Sequence, residues 1–391
     1  MKNIVITPNY VNLFSCIGPK CEDSCCNDWG IYFDKKTYKK IAKHPDFSSL
    51  AKIAFKEIKT NNDSWAVIEL DEQGACRFLN EKKLCKIHDK AGEDALSDTC
   101  KTYPKVSNHI AGNRYNSLSL SCPEVTRIVL FEPEAFQFDA QFSGNKSATP
   151  IPEWQEKSYD YSLELLVNLG LDWEESLLAI GLLIKTSDNV AKGIEPLSSL
   201  DIRLNQLQSF VQAGLLTEQY KQIPYTPSVQ TSAFVSIHSK LCKIHSRASR
   251  PRFTRLNEAV NKICNEDNQY SVNSLNNAWH EIVLPSLGKS PDIFERYILY
   301  SIYHNHFPML GKDGPLKAFR LLVLDCLIIR CYLSAIAYKY GELSESDIIL
   351  CFQVYQVVRQ HRSTFTDIID EIMQDLDLKS IPAVISLLKT K

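Results

Sequence analysis

The chain is poor in glycine. Its 391 residues include 14 glycines and no G-x-G-x-x-G turn. A doubly wound cofactor domain places its ligand on such a turn after the first strand, so no Rossmann-type sheet is expected. The turns near Gly112 and Gly144 are not followed by a suitable helix, and no motif for flavin or nicotinamide is present. No stretch is basic enough to track a phosphate backbone, and the net charge is −2. A nucleic-acid partner is therefore not expected. The opening MKNIVITPNYVNLFSC lacks the apolar run and small-residue cleavage site of a signal peptide. There is no internal repeat and no low-complexity tract.

One run, Ala318–Tyr338 (AFRLLVLDCLIIRCYLSAIAY), is apolar enough to suggest a membrane span. It carries Arg320, Asp325 and Arg330, and a charge at the centre of a span costs about 2.5–3.5 kcal/mol. A buried helix is the expectation, with no membrane span. Asp325 and Arg330 are five residues apart and do not stack on one helix face, so each should pair with another helix. The 13 cysteines, without an export signal, predict a reducing, cytoplasmic setting. Eight fall between Cys16 and Cys122, and five are scattered through the remainder.

The pattern predicts a mainly α protein with a small mixed α+β cysteine-rich N-terminal domain. We place that domain at 1–150 and a helical domain at 151–391, with the Pro-containing stretch Phe131–Trp154 as connection. WGIYF, WAVIEL and the alternating RYNSLSLSC are strand candidates. Asp34 should cap a helix, Ser290 another and Ser344 a third, the last with Asp347 in a capping-box arrangement. Gly341 should stop the long apolar helix.

The cysteines read Cys16-x4-Cys21-x3-Cys25-Cys26, then Cys76-x8-Cys85, then Cys100 and Cys122. Clustered thiols in a reducing setting suit a soft metal. Zinc sites use C-x2–4-C knuckles in pairs. No C-x2-C pair occurs here, and adjacent Cys25 and Cys26 fit poorly on one small tetrahedral ion. An iron–sulfur cluster is wider and accepts thiolates from several directions, so it is the expectation over zinc. Several of the eight can instead be small buried apolar residues. His88 follows Cys85 at a ligand-compatible spacing, or simply packs.

Four blocks together are more specific than the cysteines alone. CIGPKCEDSCCNDWGIYFDKKTYKK, CRFLNEKKLCKIH, LSDTCKTYPK and SLSLSCPE resemble the flagellin lysine-N-methylase family, FliB. The N-terminal half of that family is similar to a wider group of cysteine-rich, iron- or zinc-chelating proteins. YHNHFPML and FRLLVLDCLIIRCYLSAIA resemble its helical region. The resemblance implies an enzyme that methylates lysine side chains on flagellin, with S-adenosylmethionine as donor. It also implies a [4Fe–4S] cluster on some of Cys16, Cys21, Cys25, Cys26, Cys76, Cys85, Cys100 and Cys122. A non-catalytic metal-binding protein is the alternative.

Methyl transfer to an amine needs the neutral nitrogen. For a lysine of ordinary pKa ≈ 10.4, deprotonation at pH 7 costs about 4.6 kcal/mol. The radical pattern C-x3-C-x2-C is broken, since residue 28 is Asp. Candidate pocket residues flank the cysteines. Tyr103 can accept a proton or orient an amine, and Asp28, next to Trp29 in the chain, is a candidate acid. Trp29 offers a face to a cation, and Asp98 is a further cofactor-side candidate. Each has a plainer reading, as a packed aromatic or a turn cap. His304 and His306, with Tyr300 and Tyr303, line a groove or pack as helix core.

Overall fold

The computed structural model describes residues 3–144, 149–244, 251–263, 271–288, 290–309 and 314–390. Most of the chain is helical, and among the described residues no sheet has a Rossmann arrangement. Seven strands lie in the first 144 residues: β1 (Asn3–Pro8), β2 (Tyr32–Phe33), β3 (Phe55–Glu57), β4 (Ala66–Ile68), β5 (Lys105–Ile110), β6 (Asn113–Leu118) and β7 (Phe138–Gly144). One sheet has the order β5-β6-β1-β7 and the other β2-β4-β3. β1 runs parallel to β6, with Val5 opposite Arg114, and antiparallel to β7. β5 and β6 form a hairpin whose turn places Ala111 and Gly112 at φ 49° and 85°. That left-handed pair matches the twist of the flanking strands.

The three strand candidates all contain strand: β2, β4 and β6. β7 was not expected, because it falls in the stretch read as a connection. All but its last residue are exposed, so it carries no burial pattern to read. Backbone pairing with β1 along its whole length holds it in place instead.

The helix signals are local and mostly hold. Asp34 accepts the amides of Lys36 (2.8 Å) and Thr37 (3.0 Å). Ser344 and Asp347 make both halves of the capping box. Gly341 ends the Pro315–Tyr340 helix at φ 76°, where a side chain would be strained. The Ile293–Asn305 helix differs: it starts two residues beyond the expected position, with Asp292 rather than Ser290 at its N-cap. Asp292 also pairs with Arg296, one turn on, at 2.5 Å, an attraction that fixes the first turn.

The Pro315–Tyr340 helix is the axis of the molecule. It is long and apolar enough to cross a membrane, yet 94% of that apolar window is buried inside the protein. No other helix among the described residues meets that test. The helices Trp173–Ala191, Pro251–Asn261, Val272–Ala278 and Glu345–Arg359 pack around it. The resulting core also takes in Tyr10, Leu118, Leu120 and the Pro123–Phe131 helix from the N-terminal region. A second, smaller core gathers Phe33, Phe47, Phe55, Phe78 and Ile87 around the β2-β4-β3 sheet.

Both buried charges in the axial helix find partners elsewhere. Asp325 pairs with Arg359 of the Glu345–Arg359 helix. Arg330 donates to the carbonyls of Leu388 (2.5 Å) and Leu387 (3.2 Å), so the C-terminal turn is tied to the centre of the core.

Gly181 is where the Trp173–Ala191 helix meets the axial helix. A Cβ there would lie 2.5 Å from the Phe319 ring and 2.7 Å from Ile381. Gly181→Ala is expected to lower stability by about 1–3 kcal/mol, read as a drop in the urea midpoint with unchanged slope. An unchanged midpoint would mean that these helices are not packed as described.

Candidate functional site

The alternation of RYNSLSLSC puts Leu118 and Leu120 into the main core and Ser117, Ser119 and Ser121 on the other side. β6 ends at Leu118 and a turn follows, and within that turn the Ser119 and Ser121 hydroxyls meet at 2.7 Å. Each of the three serines meets a helical partner. Ser117 Oγ lies 2.7 Å from His304 Nδ1. Ser119 Oγ donates to Gln360 Oε1 at 2.6 Å. Ser121 Oγ lies 2.7 Å from His361 Nε2. A polar seam thus runs between β6 and the ends of the Ile293–Asn305 and Glu345–Arg359 helices. Tyr300 and Tyr303 reinforce it, donating to the carbonyls of Leu118 (2.7 Å) and Asn116 (2.9 Å).

A pocket of about 260 Å³ opens at one end of this seam, lined by Asp28, Trp29, Tyr103 and His361 together with Val357 and Arg362. Three rings face one another across it. Their centroids are 5.4 Å apart for Trp29–Tyr103, 6.0 Å for Trp29–His361 and 6.4 Å for Tyr103–His361. The Trp29 indole N–H donates to the carbonyl of Cys25, which fixes the ring. Asp28 sits at φ 65°, a conformation that Asp tolerates better than most residues; its amide donates to Gly74 at 2.9 Å. The Tyr103 hydroxyl lies 3.0 Å from Ser121 Oγ. Tyr103, Ser121 and His361 therefore form one hydrogen-bonded string, joined through Ser119 to Gln360.

Asp28, Trp29 and Tyr103 are thus brought together, although 75 positions separate Asp28 from Tyr103. Asp98 is not among them. It is exposed, in the first turn of the Asp98–Thr102 helix, and its carbonyl accepts the Thr102 hydroxyl. His361, Ser121 and Gln360 were missed by sequence reasoning. The serine alternation of RYNSLSLSC, read only as a strand candidate, was the one signal for them.

Further along the seam, Gln360 Nε2 donates to the Tyr300 hydroxyl at 2.9 Å. Tyr300 stacks on His304, with centroids 4.9 Å apart. Beyond them lies a second cavity of about 140 Å³, with Asp325 and Arg359 in its wall. Burial pushes the His304 pKa down to about 4, helped by the Arg359 and His361 charges, so the ring is neutral. Burial alone takes His306 to about 4; its ring stacks on Tyr159 at 4.3 Å.

The expectation of a [4Fe–4S] cluster on the cysteines is corrected by the structure. Among the described residues, no group of three or more His, Cys, Asp or Glu side chains is placed to hold a metal ion. The alternative of a metal-binding protein falls on the same finding. The reason lies in where each thiol sits. Cys16 is exposed. The Cys21 thiol donates to the carbonyl of Asp23 at 3.4 Å. Cys26 is hydrogen-bonded to Cys25, which with burial pushes its thiol up. Cys76 is bridged to Leu70 and Cys85 to Leu79 by backbone pairing, on separate turns. Cys100 lies in the Asp98–Thr102 helix, and Cys122 caps the Pro123–Phe131 helix at the edge of the main core. Burial raises the Cys76 and Cys122 thiols to about 12.

Among the described residues the fold is mostly helical, without a doubly wound sheet. Residues 159–387 match the family model "FliB lysine N-methylase C-terminal domain", and the chain belongs to that family. Residues 15–123 match a model, CxxCxxCC, described as "Putative zinc- or iron-chelating domain". The present spacing, C-x4-C-x3-C-C, departs from that printed pattern. The chain is 26% identical over 375 residues to a protein of Salmonella typhimurium named "Lysine-N-methylase", covering 93% of this chain and 94% of that one. The same figures hold for a "Lysine-N-methylase" of Salmonella choleraesuis. It is 35% identical over 167 residues to the "Flagellar biosynthetic protein FliU" of Salmonella muenchen, covering 42% of this chain and 98% of that one. No solved structure matches.

The buried neutral histidines fix a pH dependence. His238 is also lowered to about 4, by burial. With folded values near 4 and an unfolded value near 6.5, the unfolded chain binds more protons between those limits. Stability is therefore full above pH 6.5 and declines as pH falls toward 4, by up to about 1.4 kcal/mol per pH unit for each ring. Denaturant titrations from pH 7 to 4.5 should show this decline, and His306→Asn should flatten it by one ring's share. An identical slope in the variant would show that His306 is not buried neutral.

Proposed function

We propose that the protein transfers a methyl group from S-adenosylmethionine to lysine side chains of flagellin, and that the lysine amine enters the Trp29–Tyr103–His361 pocket. Family membership supports the reaction type. The relatives named lysine-N-methylase, matched over nearly their whole length, support the acceptor. The observation that carries the site is the set of three rings enclosing one pocket with a carboxylate, Asp28, in its wall.

Aromatic faces attract an ammonium by about 0.5–2 kcal/mol, more as water is excluded. They hold the lysine head without hydrogen-bonding its lone pair. A nearby sulfonium disfavours the protonated amine, as does a dry wall. The lone pair then attacks the methyl carbon. The N–C bond forms as the C–S bond breaks, and its electron pair returns to sulfur, leaving a neutral thioether. The nitrogen now carries one proton too many. Tyr103 and His361, joined through the Ser121 hydroxyl, offer a route by which it leaves. Alignment of nitrogen, carbon and sulfur along one line supplies much of the remaining acceleration.

Purified full-length protein, S-adenosylmethionine and the flagellin of the same organism should yield methyl-lysine by mass spectrometry. Trp29→Ala is expected to raise KM for flagellin by about 3–30-fold, the loss of one cation–π contact. Tyr103→Phe or His361→Gln should lower kcat about 10²-fold with little change in KM. Absence of methyl-lysine with the intact chain would sink the reaction. Methylation that ignores all three substitutions would move the site elsewhere.

A further inference from the structure

Asp325 and Arg359 are an ion pair that leaves most of its hydrogen-bonding capacity unused. Asp325 is 3% exposed, in the middle of the axial helix. Tyr355 donates to its Oδ1 at 2.5 Å. Arg359 approaches side-on, giving only its Nε, at 2.9 Å from Oδ1 and 3.2 Å from Oδ2. A pair built purely for structure would present the guanidinium fork, with two parallel bonds. Here neither Nη group makes a hydrogen bond among the described residues, and neither is sealed from solvent. Arg359 instead lines two cavities, of about 140 and 90 Å³, which also share Ser301, Asn305 and Asp325.

A buried cation with unused, cavity-facing donors is a binding group for an anion. The adjoining carboxylate opposes a free anion, which it would repel. The two fixed charges together fit a ligand carrying both signs on neighbouring atoms. Burying such a ligand is costly unless each charge is met, and this wall meets both. We infer that the cavity receives an α-amino-carboxylate, its carboxylate on the Arg359 Nη groups and its ammonium toward Asp325. Ser301 and Asn305 supply neutral polar atoms alongside. Taken with the methyl-transfer reading, on which this identification of the ligand rests, the group is the amino-acid end of the sulfonium donor. Position agrees with that role. Gln360 lines the cavity, and the next residue, His361, lines the aromatic pocket. The two cavities are thus lined by adjacent residues of one turn.

The test compares ligands that differ in this end alone. Calorimetric titration of the full chain with S-adenosylhomocysteine and with 5′-methylthioadenosine, which lacks the amino-acid end, should show at least tenfold tighter binding of the first. Arg359→Lys keeps the charge facing Asp325 but loses the fork. It should abolish that tenfold difference while leaving methylthioadenosine affinity unchanged. Ser301→Leu, which fills the cavity from the other helix, should do the same, and it serves if Arg359→Lys does not fold. Equal affinity of the two ligands, no binding of either, or a difference that survives in a folded variant overturns the assignment. Methyl-lysine formation by the unaltered chain is scored separately. If it occurs while the discrimination survives substitution, only the cavity assignment falls. If it does not occur, the methyl-transfer reading falls, and an intact discrimination lost in the variants still supports an amino-acid site.

Discussion

Hydroxyl groups bonded across the seam between β6 and the helical layer are the constraint on which the molecule depends. Ser117, Ser119 and Ser121 are all buried, and a hydroxyl taken out of water without a partner costs about 1–3 kcal/mol. Each must find a bond, and across the seam those bonds are made to His304, Gln360 and His361, with Tyr10 and Tyr103 bonded to Ser117 and Ser121 as well. This need for mutual satisfaction sets the register of β6 against two helix ends. A one-residue slip would turn the leucines toward the polar groups and the serines into the core. The aromatic pocket and the Asp325 cavity lie along this line of bonds, so the interaction that fixes the fold also positions the candidate chemistry.

The seam is one of the polar parts of a mostly apolar core. Burial raises the Asp325 carboxyl, while Arg359 and the Tyr355 hydroxyl pull it back toward the ionised form. Burial disfavours the Arg359 cation most strongly, and the Asp325 carboxylate together with Tyr355 and Tyr297 outweighs it, holding the guanidinium above its usual value. Replacing such pairs by apolar residues is often neutral or stabilising, so their presence is better explained by binding or positioning than by stability.

Sequence legibility followed the range of the interactions. The caps at Asp34 and Ser344 and the stop at Gly341 are decided within a few residues and could be read. So could the buried character of the axial helix, because charges in an apolar run demand partners. β7 could not, because its stability comes from pairing with a strand more than a hundred positions away. The cysteines show the limit most clearly. Their grouping along the chain was plain, but spacing says nothing about where each thiol points, and among the described residues no three ligand side chains are placed to hold a metal. Trp29, Tyr103 and Asp28 were legible as candidates through the family blocks. His361 was not, since its role arises only when the end of a distant helix meets the serine edge.

The small core around Phe33, Phe55 and Phe78 is separate from the large one. Polar ties join the flanking loop to the helical layer: Arg127 reaches Glu22 and Glu345, and Gln353 donates to Asp23 at 2.8 Å. Regions with their own small core open locally more readily than the body of a protein. Trp29 packs against the small core, whereas His361 belongs to the helical layer. Hydrogen exchange in the loop around Trp29 would therefore report directly on the fraction of molecules in which the pocket is assembled. Salt, which screens the exposed part of those ties, would shift that fraction without touching a single residue of the main core.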